Sequence, residues 1–222
     1  MEIAILGGTG DIGQGLALRW GYDTDHDLVI GSRERAKAQS KAEEYERELD
    51  SRGVETSIGG AENPDAAAGA DVVVAAVPAY HLVDTIEAVA DTLDSETILV
   101  SPAVGMKRDE AGFHYNQPSA GSVTALAAEA APDEAPVVGA FHNLAADRLA
   151  NLDVELGIDT LLVGDDADAK NIVSDLAAGI DGLRPLDAGG IANAPEIEGL
   201  TPLLINVAMR NEGMHDLGVR FE

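Results

Sequence analysis

Residues 3–15 read Ile3-Ala4-Ile5-Leu6-Gly7-Gly8-Thr9-Gly10-Asp11-Ile12-Gly13-Gln14-Gly15. A continuous apolar run ends in glycines, the pattern of a strand buried on both faces. Ile12, Leu16 and Trp20 then recur at helical spacing, so a helix over 11–22 follows at once. Between strand and helix stands Gly8-x-Gly10-x-x-Gly13. Alone, this spacing is a weak signal. In this context it is the dinucleotide-binding turn: glycines let the backbone approach a pyrophosphate, and the helix N-terminus supplies N–H donors and the positive end of its dipole. Asp11 is an odd neighbour for a phosphate, and its carboxylate suits the helix start as a cap or dipole partner.

Outward from this turn, strand patterns at 27–31, 54–58, 71–77, 97–100 and 136–141 alternate with helix patterns at 34–52, 80–93 and 119–131. Beyond residue 150 come strands at 160–163 and 183–186 and a helix at 167–178. Such alternation implies βαβ units, hence an α/β, Rossmann-type, doubly wound and mostly parallel sheet. Residues 195–213 carry Ile197, Leu200, Leu203, Leu204, Val207 and Ala208, a broad apolar face that needs the main domain, a second subunit or a ligand. The expected organisation is a nucleotide-binding domain at 1–190 and a small helical part at 191–222.

The chain has 222 residues, no cysteine, and 14 basic against 40 acidic residues, a net charge of −26. With 45% apolar residues it can bury a core. Disulfide scaffolds and thiolate zinc sites are excluded. Its longest apolar run, 72–80, is interrupted by Pro78 and falls far short of the ~20 residues of a membrane span. No basic leader pattern precedes Ile3, so a cytoplasmic protein is expected. The charge repels nucleic acid and anionic membranes, leaving small molecules as partners. The acids are spread along the chain, which favours a halophilic cytoplasm, where salt screens surface repulsion, over a basic partner.

The second strand ends Ile30-Gly31-Ser32-Arg33. An NAD site would place an acid there to accept from the ribose 2′-OH. Here a hydroxyl and a guanidinium replace it, and Lys37 follows. Between Ser32 and Lys41 four basic residues meet one acid, a local +3. Ser32, Arg33 and Lys37 would hold a 2′-phosphate, so the expected cofactor is NADP; Lys41 reads as a solvated helix residue.

In an open α/β sheet, ligands sit beyond the carboxyl ends of the strands. Those ends are Val77-Pro78-Ala79-Tyr80-His81, Ser101-Pro102-Ala103-Val104 and His142-Asn143-Leu144-Ala145-Ala146. His81 and His142 are either ligand contacts or structural histidines, and Tyr80 either covers the cofactor or packs on the sheet. No Ser-His-Asp spacing, nucleophile elbow or H-E-x-x-H is present. Gly164-Asp165-Asp166-Ala167-Asp168 precedes a helix and reads as capping. Hydride transfer between two apposed rings needs no catalytic side chain, and none is assigned.

The segment Gly7–Arg19 together with Gly31-Ser-Arg33, Val77-Pro78, Ser101-Pro102, Ala150–Asp153, Gly164–Asp166 and residues 180–189 resembles the archaeal coenzyme F420-dependent NADP reductases, as do Leu200-Thr-Pro-Leu203 and residues 211–218. The resemblance implies reversible hydride transfer between NADP and the 5-deazaflavin coenzyme F420, without a metal. It implies NADP contacts at Thr9, Gly10, Asp11, Ile12, Ser32, Arg33, Lys37, Val77, His81, Val104 and Ala146, with Gly13 closing the turn. The deazaflavin would lie near His142, Leu144 and Leu217, with Arg184 or Arg210 on its anionic tail, and the chain would pair as a homodimer. Ala145 and Ala79 depart from the proline and the aromatic usual in the family. The alternatives are an NADP-dependent reductase of a small C=N or C=O substrate and a non-catalytic NADPH sensor.

Overall fold

A computed structural model describes all residues, Met1–Glu222. The elements run β1 (Glu2–Leu6), α1 (Asp11–Asp23), β2 (Asp27–Ser32), α2 (Arg35–Ser51), β3 (Ile58–Glu62), α3 (Asn63–Ala67), β4 (Val72–Ala75), α4 (Ala79–Glu87) and β5 (Ile98–Ser101). A hairpin of β6 (Met106–Asp109) and β7 (Gly112–Tyr115) follows, then α5 (Val123–Ala130), β8 (Val137–Gly139), α6 (Ala146–Ala150), β9 (Ile158–Gly164), α7 (Ala167–Ala178), β10 (Leu183–Asp187), α8 (Ala194–Glu198) and α9 (Leu200–Arg210).

Eight strands form one sheet in the order β10-β9-β8-β5-β4-β1-β2-β3. All neighbours are parallel except β8 and β9. Side chains alternate across a strand, so each central strand feeds two cores. Ile3 and Ile5 enter the core under α1, α2 and α7, with Trp20, Tyr45 and Phe141. Ala4 and Leu6 enter the other, under α3, α4 and α5. Val72 and Val74 divide from Val73 and Ala75 in the same way. That two-sided burial is why these strands read as unbroken apolar runs.

Several boundaries differ from the sequence reading. The third strand lies at Ile58–Glu62, not at 54–58. A Cβ at Gly60 would stand 2.6 Å from the backbone of Gln39, so α2 lies against β3 as only glycine permits. The fifth helix starts at Val123, because the Ser122 hydroxyl caps it by accepting from the Ala125 N–H at 2.9 Å. The 195–213 segment is broken at Gly199 into α8 and α9. The β6–β7 hairpin, α3 and α6 are short elements with no clear period. Asp166 caps α7 through the Ala169 N–H at 2.8 Å.

The C-terminal tail is tied to the sheet. Asp159 on β9 is fully buried and accepts twice from Arg184, at 2.8 Å each, and from the Phe221 N–H at 2.6 Å. No helix is long and apolar enough to cross a membrane.

Candidate functional site

Strand order reverses between β1 and β4, and the carboxyl ends of these strands open onto a cavity of about 850 Å³. Its walls come from Gly10, Asp11 and Ile12 at the start of α1, Val77 and Ala79 after β4, Pro102 and Val104 after β5, and His142, Leu144 and Ala146 after β8. Leu204, Ile205 and Ala208 of α9 and His215, Asp216 and Leu217 of the tail complete them. The wall is mainly apolar, and its acidic members are Asp11, Asp147 and Asp216.

The glycine turn is held at backbone distance. Gly7 has φ +70°, a conformation other residues rarely adopt. A Cβ at Gly13 would stand 2.6 Å from Gly8 Cα, so the helix can start this close to the turn only at glycine. The Tyr45 hydroxyl of α2 donates to the Gly8 carbonyl at 2.8 Å and fixes the turn from behind. Gly10 is the N-cap and brings no side-chain acceptor, and Asp11 lies in the first turn, where it complements the dipole. The first-turn N–H groups are thus left for a ligand.

Ser32 ends β2, buried, and its hydroxyl accepts from the Glu34 N–H at 3.4 Å. The four nearby cations divide cleanly. Arg35 pairs with Asp65, and Lys41 pairs with Glu44 at 2.9 Å. Arg33 and Lys37 are exposed and make no ion pair or side-chain hydrogen bond. A free guanidinium and a free ammonium beside a hydroxyl fit a phosphate dianion. Ser32, Arg33, Lys37, Thr9, Gly13 and His81 lie outside the cavity wall; the other nine expected residues line it. His81 instead lies against Tyr80, ring centroids 4.5 Å apart and planes tilted by 57°.

His142 reaches the wall through a sharp reversal. Phe141 has φ +66°, an outlier for an aromatic residue, and is held by its N–H to the Thr160 hydroxyl at 3.1 Å and by an edge contact on Trp20. His142 is buried, and desolvation lowers its pKa to about 4, so the ring is neutral at physiological pH. The Thr201 hydroxyl of α9 donates to its carbonyl at 2.6 Å.

Residues 2–105 match the family model described as NADP oxidoreductase, coenzyme F420-dependent. The F420-dependent NADP reductase of Methanocaldococcus jannaschii is 38% identical over 220 residues, 96% of each chain. The chain belongs to the F420-dependent NADP reductase family. The F420-dependent NADP reductase of Methanothermobacter thermautotrophicus, also 38% identical, covers 99% of this chain and 94% of its own. A crystal structure from Arthrobacter sp. FB24 superposes with a TM-score of 0.82 at 24% identity, covering 100% of this chain and 99% of that one, and supports the fold.

In this member of the F420-dependent NADP reductase family, Arg184 and Arg210 are engaged within the chain. Arg184 binds Asp159 and the Phe221 carbonyl, and Arg210 donates to the Ala111 carbonyl at 2.6 Å. The contributions of Met106, Asp147, Ile205 and Asp216 to the wall escaped the sequence reading. The apolar face of 195–213 was the signal for Ile205, and the 211–218 stretch the signal for Asp216.

Proposed function

We propose that the chain catalyses reversible hydride transfer between NADP(H) and coenzyme F420. The observation that carries this reading is the joint presence of three features: an uncapped helix start behind a glycine turn, free Arg33 and Lys37 after β2, and an apolar cavity under α9. When bound, NADPH would supply a hydride from its dihydronicotinamide ring and NADP+ would accept one at the same carbon. The turn Thr9–Gly13 receives the pyrophosphate with its N–H groups. Ser32, Arg33 and Lys37 take the 2′-phosphate, which NAD lacks. Val77, Val104 and Ala146 would flank the NADP ribose and nicotinamide from the cavity wall, with His81 outside it, and His142, Leu144 and Leu217 would border the deazaflavin. Alignment of two rings in a mainly apolar cavity supplies the rate, so no side chain needs to move a proton to form the C–H bond.

Residues 191–222 close the cavity over residues 1–190 in this reading. Leu203 and Met209 are about half exposed, at 55% and 56%, and a homodimer would cover them. A net charge of −26 suits a salt-rich cytoplasm. The test is to mix the protein in molar salt with NADPH and oxidised F420 and follow the visible absorbance of F420. Bleaching that needs NADPH is expected. Tight NADPH binding with unchanged absorbance would contradict the acceptor.

A further inference from the structure

A buried polar chain runs from the cavity wall to the C-terminal segment. Glu198, the last residue of α8, has no exposed surface. Its Oε2 accepts from the Tyr115 hydroxyl at 2.7 Å and the Val123 N–H at 2.9 Å. Its Oε1 accepts from the Thr124 N–H at 2.9 Å and the Thr124 hydroxyl at 3.0 Å. Both N–H groups belong to the first turn of α5, where the helix dipole also favours a carboxylate. The Thr124 oxygen lies 3.2 Å from His142 Nε2, and Thr124 and His142 are both buried.

A hydroxyl carries one proton, and a carboxylate offers only lone pairs. The Thr124 proton is therefore committed to Glu198. Thr124 turns a lone pair to His142, and only an N–H at Nε2 can meet it. The bonding pattern thus assigns the ring proton. The other ring nitrogen, Nδ1, is buried without a partner. The hydroxyl of Thr201, on α9, grips the same residue by its carbonyl, so the C-terminal segment holds both the ring and the backbone of His142.

We propose that Glu198, acting through Thr124, is a positioning residue that locks His142 as its Nε2–H tautomer. The ring then stands in the cavity wall as a neutral group whose one unspent valence is a lone pair on Nδ1. Nδ1 itself has no exposed surface, so the tautomer acts on the site by fixing how the ring packs in the wall and not by a bond to a coenzyme. The low pKa that burial gives His142 keeps the ring uncharged, in agreement. The consequence for catalysis rests on the proposed hydride transfer; the tautomer does not.

The test is long-range proton–nitrogen NMR on the ¹⁵N-labelled full chain without coenzyme. The expected His142 signature is a protonated Nε2 and a bare Nδ1, kept in Thr124→Ser and mixed with the other tautomer in Thr124→Val. A wild-type ring protonated at Nδ1 overturns the proposal even if Thr124→Val fails to fold, and so does an unchanged pattern in that variant. Hydride transfer is expected to slow about tenfold in Thr124→Val, in kcat more than in the KM for NADPH. An unchanged rate would overturn the positioning role. A wild-type chain inert toward F420 but showing the Nε2–H signature would defeat the functional reading alone.

Discussion

The end of β2 and the cavity under α9 are built in opposite ways. The first is one local stretch, residues 32–37, exposed beyond the buried Ser32 and locally cationic. The second draws its walls from stretches between Gly10 and Leu217, is mainly apolar, and holds no Lys or Arg. Anion selectivity therefore rests on side chains that can be exchanged without disturbing the core. Ring alignment rests on packing, where a change is felt by the whole fold.

The difference is broken most severely at Phe141. Phe141→Ala is expected to cost about 3–5 kcal/mol of stability, because it empties a core position. Thermal unfolding checks this, and a change under 1 kcal/mol would mean the reversal before His142 is held by something else. Acid comes next. The unfolded chain protonates its histidine near 6.5, whereas buried His142 resists until about 4. The stability contributed by neutral His142 is complete above about 6.5 and is lost as pH falls towards about 4. Denaturant melts across that window, compared with His142→Gln, measure the loss, and equal pH slopes would contradict it.

Leu204→Ala sharpens the contrast. It is expected to weaken F420 by about 1 kcal/mol through lost apolar contact, with NADPH affinity unchanged, as titration of each coenzyme would report. Equal effects on both would merge the two regions. The smallest effect belongs to Lys41→Ala. Its ion pair with Glu44 is a surface i,i+3 pair, so stability and NADPH affinity should move by less than about 0.5 kcal/mol. A larger loss of NADPH would enlarge the phosphate site beyond Arg33 and Lys37.

The same contrast governs what could be read from the sequence. The glycine turn and Ser32-Arg33 were legible because their chemistry depends on adjacent residues: a buried strand, glycines, a helix, and a missing acid. Central strands such as Val72–Ala75 announced themselves by two-sided burial. The third strand lies beyond most of the 54–58 stretch because its Gly60 is dictated by the backbone of Gln39, from another element. The left-handed turn at Phe141, the hairpin and the break at Gly199 depend on tertiary packing, which leaves no local period. The free state of Arg33 and Lys37 also had to be seen, because all four cations near β2 look alike until Asp65 and Glu44 are placed beside two of them.

The most direct test compares F420 reduction by NADPH and by NADH in wild type and Arg33→Ala. Wild type is expected to favour NADPH strongly in kcat/KM. Arg33→Ala is expected to lose about 1.5–3 kcal/mol with NADPH and almost nothing with NADH, so that the preference collapses. Equal losses with both nucleotides, or a wild type that does not discriminate, would contradict the account.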